Sequence, residues 1–529
     1  FSNPCRILAS PMAGPLCDFN KLLHLGTEIN VYKAGTDCVT QFFHETAPSI
    51  EELIQKKQEE EILSSIAAAH EQKSVDPTQI ICILAHLTKY NSEKLSCLTY
   101  KTFTKICRNT KDLFLFVKMC KKFNNSNLGT GSGMRNLIKR WYTTKSTDEL
   151  LSAVTQFRGA HSWKNSDLLK LAHVKPETKE QEIIFTYILF NFDKAKLIGC
   201  RDEYPKLFAY LEAVEEVKHS EDIHAIERLF ENYNLQIEHL PNEVLAFKKL
   251  WEKIMIHMSF KSVLFNLNRL SRQGFFSPGS ALIPIVIKCL LDEQKIFDSG
   301  LYPEEILFKF KECMMHTTGA NSNRKRSNNS PVNQEIVNCL PQMLKISSKV
   351  IPPLDKKLCF MLDTPVRSHY VECCGTSATY LDVISIMILR FATASIKVDV
   401  IRNSVDGYRL ILGDQDYTFD GIKRALHKEV GYTPFDHPSF INSLREMQLN
   451  PDVFIHFQPN YKSGSEFAAT TLEAYKMKKD VPDARFISMS LLENPKSTII
   501  GPDHPGVLSV IGFDVRVTRI VEAFLRQHF

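Results

Sequence analysis

Glycine is scarce in this chain, 21 in 529 residues, and proline stands at 24. Both are near or below ordinary usage, which excludes collagen-like and low-complexity classes. Long hydrophobic runs are missing too. The most apolar stretch, Val383 to Leu389, is closed by Asp382 and Arg390, well short of the roughly 18–20 residues of a membrane span. Neither GxGxxG nor GxxxxGK(S/T) occurs, and Gly129-Thr-Gly-Ser-Gly133 lacks the preceding strand and following lysine of a phosphate loop. There is no GxSxG elbow and no HExxH. Carboxylate pairs such as Glu215-Glu216 sit on charged helix surfaces. Without a positioned nucleophile and base, the expectation is a protein that is not an enzyme. The 14 cysteines are scattered, and the adjacent Cys373 and Cys374 have no CxxC or Cys/His spacing for zinc. Reduced thiols are expected, and residues Phe1 to Cys17 carry no secretory pattern. The expected location is therefore the cytoplasm, with the nucleus as a second address, and no membrane partner.

What is present is a chain with 44% hydrophobic and 24% charged residues. At about 150 residues per domain, that is enough for two to four domains with proper cores. A net charge of +5 permits local basic faces without demanding a polyanionic partner. From about Ile50 to Leu344 apolar residues recur at helical spacing. Ile80, Ile81, Ile83, Leu84 and Leu87 make one stripe, and Phe103, Ile106 and Cys107 another. Further helices are predicted at Leu113–Phe123, Leu137–Tyr142, Ser166–His173, Gln181–Phe190, Pro205–Val217, Ala225–Tyr233, Val244–Met258, Ser262–Leu270 and Ile283–Leu291. Paired helices over such a length read as a HEAT-like solenoid. The basic run Arg324-Lys325-Arg326 lies in a polar segment that reads as an exposed loop.

After Pro352-Pro353 the period changes. Short apolar runs at Leu358–Leu362, Ile396–Ile401, Asp452–Phe457, Arg485–Met489 and Val507–Ile511 alternate with helices at Tyr380–Phe391, Gly421–Val430, Ala469–Lys479 and Arg516–Leu525. That alternation predicts a doubly wound α/β domain. Asp363, at the end of its first strand, occupies the place where such sheets put functional residues. The predicted fold class is mainly α plus α/β: a helical domain over residues 1–350 and a Rossmann-like domain over 355–529.

Several strings resemble one family. Ser166-Asp-Leu-Leu-Lys-Leu-Ala-His-Val-Lys-Pro176, Tyr210-Leu-Glu-Ala-Val-Glu-Glu-Val-Lys218, Leu113-Phe-Leu-Phe-Val-Lys-Met-Cys-Lys-Lys-Phe123 and Trp141-Tyr142 follow the order and spacing of the Ro autoantigen family, the TROVE-domain RNA-binding proteins. The resemblance spans roughly residues 20 to 345. Leu362-Asp363, Pro451–Phe457, Tyr475–Pro482 and Ile511-Gly-Phe-Asp514 resemble that family's von Willebrand factor A-like domain. The resemblance implies a HEAT-repeat ring, monomeric within a ribonucleoprotein. It implies binding of the 3′ ends of misfolded small noncoding RNAs in the central hole and of Y RNAs on the outer basic face, in RNA quality control.

His173 matches the family's RNA-contacting histidine, although a histidine on a helix is ordinarily a packing residue. Lys170, at i,i−3 on the same predicted helix, and Lys175 flank it, while Ser166 or Asn165 is positioned to cap that helix. Where the family has a lysine and an arginine just before it, this chain has Gln156 and Ala160. Arg158 and Lys164 lie close enough to substitute, because phosphate contacts tolerate displacement. Arg135, Lys139 and Arg140, with Lys118, Lys121 and Lys122, extend the expected phosphate track.

The resemblance also implies a divalent metal site, and here the chain departs from the family. The family's Asp-x-Ser-x-Ser reads Asp363-Thr-Pro365-Val-Arg367. Thr433 or Asp436 offers at best a displaced ligand, and the aspartate after Val453–Phe457 is replaced within Gln458-Pro459-Asn460. The expectation is that Asp363 is a remnant and that no cofactor is held in the family's way. The competing reading is a protein-interaction scaffold, or a specialised particle subunit, whose RNA and metal sites have decayed and whose A-like domain binds proteins.

Overall fold

The computed structural model describes the chain apart from residues 1–13, 37–46, 91, 124–130, 158, 316–332, 364, 375, 405–406, 413–416, 428–436, 459–463, 480 and 494–503. Arg158, Thr433, Asp436 and the Arg324–Arg326 run lie outside the described residues. Both expected kinds of structure are present, a helical array and an α/β sheet. The chain divides into two compact units: Cys38–Met258, and Phe1–Asp37 together with Ser259–Phe529.

Cys38–Met258 is built from capped amphipathic helices. Asp76 accepts the Thr78 N–H to open Pro77–Leu87, Ser92 opens Glu93–Ile106, and Ser146 with Glu149 forms a capping box at Thr147–Gln156. Apolar stripes meet inside, as where the Phe103 and Phe116 rings pack 4.2 Å apart. Polar tips are satisfied in the same core: the Trp141 indole donates to the Cys107 carbonyl at 2.9 Å, and the Tyr142 hydroxyl to Asn165 Oδ1 at 2.7 Å.

Two helix expectations are corrected. The helix expected over Val244–Met258 is broken into a 3-10 turn at Val244–Ala246, a helix at Lys248–Ile254 and a second 3-10 turn at Met255–His257. Phe247 takes an extended conformation, and the Trp251 indole donates to the Leu245 carbonyl at 2.9 Å, which pins the bend. The helix expected over Ser166–His173 runs Asn165–Ala172. Neither Ser166 nor Asn165 caps it: Lys164 holds that position, its N–H donating to Asp167 at 3.0 Å. The Asn165 amide instead donates to the Phe157 carbonyl at 3.1 Å. His173 lies beyond the helix in the left-handed region at φ 48°, closing it with His173 N–H to the Lys170 carbonyl and Val174 N–H to that of Leu169.

The strands are β1 (Val31–Lys33), β2 (Gly159–Ala160), β3 (Trp163–Lys164), β4 (Leu354–Leu362), β5 (Ser395–Ser404), β6 (Gly407–Leu410), β7 (Val453–Gln458), β8 (Arg485–Ser490) and β9 (Val507–Ile511). β2 and β3 form a hairpin within Cys38–Met258. The others make a seven-stranded sheet in the second unit, ordered β1-β9-β8-β7-β4-β5-β6 and parallel except where β6 runs against β5. The five expected strands occupy its middle. β1 and β6 were not expected, being short and lying at the two edges. Central strands β7, β8 and β9 are buried throughout, as parallel strands covered on both faces are, and their polar residues His456, Gln458, Arg485, Ser488, Ser490 and Ser509 are buried with them. Phe440 and Leu444 of helix His437–Glu446 and Leu472 and Tyr475 of helix Gly464–Lys479 pack onto Cys359, Phe454 and Phe486 of the sheet.

Helix Pro303–Met315 is bound to this sheet domain by charge. Arg390, fully buried, pairs with Glu304 and, at 2.6 Å, with Glu522. Asp382, 1% exposed, sits 2.9 Å from both Lys311 and Lys423.

Candidate nucleic-acid interface

The β2–β3 hairpin places Ala160 opposite Trp163, with His161 and Ser162 as its two turn residues at φ 54° and 69°. Two successive left-handed residues are what a tight turn between right-twisted strands requires. A Cβ at Gly159 would stand 2.9 Å from the Trp163 carbonyl oxygen, so glycine permits the close approach of the strands.

The Thr110–Phe123 helix packs against both strands of this hairpin and brings its lysines there. The Lys121 ammonium lies 5.4 Å from the Trp163 ring centre and that of Lys111 3.8 Å from Phe157. His161 is exposed at the tip. Its pKa is lowered, first by burial of part of the ring and then by the charges of Lys118 and Lys111. Lys118, Lys121 and Lys164, named from sequence, thus converge around one hairpin, together with Lys111, His161 and Trp163, which were not named. The usable signal for the hairpin was the Gly159-Ala-His-Ser-Trp163 string between two helices, since small and polar residues mark turns.

From Lys164 the chain enters the Asn165–Ala172 helix. Lys170, His173 and Lys175 are exposed at its far end, roughly 12 Å along at 1.5 Å per residue. His173 is the left-handed residue that closes the helix and not part of its last turn. Lys122 is exposed on the Thr110–Phe123 helix. Arg135 and Lys139 are half-buried and Arg140 exposed on the separate helix Ser132–Thr143. Gln156 reaches Glu238 at 3.4 Å.

At the carboxyl ends of β4 and β7, the Asp363 N–H donates to the Phe457 carbonyl at 2.9 Å, and its carboxylate lies 3.3 Å from Nε2 of the buried His456. Gln458 turns its amide nitrogen to Ser488 at 2.9 Å and Ser490 at 3.2 Å. Among the described residues these strand ends offer one carboxylate, an imidazole and an inward-bonded carboxamide, of which only the carboxylate is a hard anionic oxygen donor.

A helical unit carrying a basic hairpin, followed in sequence by a parallel-sheet A-like domain, is the architecture of one class of protein. Residues 27–353 match the TROVE domain and residues 368–525 the Ro60 vWA domain. The chain belongs to the TROVE-domain family. Among its relatives, the RNA-binding protein RO60 of Caenorhabditis elegans is 22% identical over 475 residues, which cover 79% of this chain and 71% of the relative. The crystal structure of the Deinococcus radiodurans RO (RSR) protein shares the fold, with a TM-score of 0.76 at 17% identity over 98% of this chain and 100% of that one.

Proposed function

We propose that this chain is a non-catalytic RNA-binding component of a ribonucleoprotein, and that it holds small structured noncoding RNAs in the manner of an RNA quality-control factor. Family membership supports RNA binding. The observation that carries its placement is the convergence of Lys111, Lys118, Lys121 and Lys164 around the His161–Trp163 hairpin. Lysine to phosphate supplies salt-sensitive affinity, and an exposed hairpin with an aromatic residue suits single-stranded ends or loops. The protein would act in the cytoplasm or nucleus; among the described residues no helix is long and apolar enough to cross a membrane.

The test is to crosslink RNA to the protein in its native source at mild salt and sequence what is recovered, beside Lys118→Gln/Lys121→Gln and Lys170→Ala/His173→Ala. A defined RNA reduced by the first pair supports the placement, and recovery of proteins without RNA above background leaves the scaffold reading. The Gln156 contact with Glu238 is the observation that favours that scaffold. The A-like domain is proposed to have given up the family's metal and to bind protein through its altered strand ends. A calorimetric titration should show no tight magnesium binding; tight binding abolished by Asp363→Ala would overturn this.

A further inference from the structure

Within Cys38–Met258, helices Thr147–Gln156, Pro205–His219 and Ile223–Tyr233 border a half-open pocket of about 390 Å³ that belongs neither to the hairpin nor to the helix after it. Its lining is Asp148, Leu151, Lys206, Ala209, Tyr210 and Tyr233. This volume is at the lower end of the roughly 300–1,000 Å³ typical of small-molecule sites, and it is too small for a helix or a duplex.

Each lining group has a definable part. Leu151 is buried and supplies an apolar wall. Tyr210 is held in place, its hydroxyl 3.2 Å from Thr155 Oγ1, which in turn lies 3.2 Å from Nε2 of the buried His239. Tyr233 is the last residue of its helix, immediately before the left-handed Asn234 at φ 49°. Asp148 and Lys206 are exposed. The pocket therefore combines two aromatic rings, an apolar wall, one carboxylate and one ammonium.

We infer that this pocket takes a single unpaired nucleotide of a bound RNA, with guanine preferred; the inference rests on the RNA-binding reading above and deepens it. A flat base gains from contact with tyrosine rings. A carboxylate is an acceptor alone, and guanine presents two adjacent N–H donors, N1–H and the 2-amino group, to its two oxygens. Lys206 then meets the attached phosphate. The Watson–Crick edge is free only in an unpaired base, which restricts the site to loops, bulges and ends.

The test uses the full chain and three labelled single-stranded hexaribonucleotides: oligouridine, and oligouridine with one central guanine or one central adenine. The guanine-containing RNA should bind roughly tenfold more tightly, within the range for discrimination by one bidentate base contact. Tyr233→Ala should erase the difference and Tyr233→Phe retain it, which separates loss of the ring from a folding defect. Asp148→Asn should remove the preference for guanine over a central adenine while leaving oligouridine binding unchanged. Lys118→Gln/Lys121→Gln should weaken all three RNAs by the same factor. Equal affinities in all pocket variants would overturn the pocket and leave RNA binding standing. Failure of every RNA to bind would overturn both.

Discussion

His161 has a lowered pKa because part of the ring is buried and because Lys118 and Lys111 oppose its charge. In the free protein it is neutral at pH 7. A phosphate seated at the hairpin reverses that balance, so RNA raises the pKa and binding takes up a proton. Affinity should therefore rise as pH falls from 7.5 to 5.5. His161→Gln should flatten the profile, and parallel profiles in both proteins would remove His161 from the interface. Residue-scale reading from sequence reached Lys118, Lys121 and Lys164 but not this histidine. The reason is physical: its electrostatics come from the Thr110–Phe123 helix some 40 positions earlier in the chain, and a helical period cannot report on a neighbour that far away. His173 illustrates the converse. It was found from its string, yet its left-handed backbone depends on how the helix ends.

The hairpin is the element on which the proposed site depends, and Gly159 is its closest point. Gly159→Ala would set a Cβ 2.9 Å from a backbone oxygen and 3.0 Å from Lys164 Cγ. The strand must shift, at a cost of about 1–3 kcal/mol for overpacking, and Trp163 shifts with it. Melting and filter-binding measurements should show a modest loss of stability with a several-fold loss of RNA affinity. Wild-type affinity in a destabilised variant would mean that RNA does not read the hairpin. At this scale the long amphipathic helices and the five inner strands were legible, because burial imposes a helical period on the first and short apolar runs on the second. The two-residue strands of the hairpin were not, since they are too short to show a period of two. The bend near Phe247 escaped for another reason. Its apolar residues continue at helical spacing, and the Trp251 bond to the Leu245 carbonyl breaks the helix without altering the pattern.

For the molecule as a whole, buried charge joins segments that sequence keeps apart. Burial pushes the Asp382 carboxyl up, but Lys311 and Lys423 outweigh it and hold the pKa at about 2, against 3.8 for the free group. A depressed carboxyl contributes stability that is complete above the unfolded value and is lost as pH falls from about 4 towards 2. The shift corresponds to about 2 kcal/mol, so Asp382→Asn should lower stability by that order at pH 7 and lose most of its effect near pH 2. Chemical denaturation at the two pH values checks this, and an equal deficit at both would assign the loss to packing instead. Arg390 does similar work with Glu304 and Glu522. The sequence by itself determined the helical class of the first part, the α/β class of the second and the lysines available to a polyanion, since each is written in local spacing or residue type. Tertiary structure decided which lysines meet, that a segment near the N-terminus supplies the edge strand β1, and that Tyr210 and Tyr233 face one pocket. Those contacts join residues tens to hundreds of positions apart, and their geometry is set by packing that no local pattern encodes.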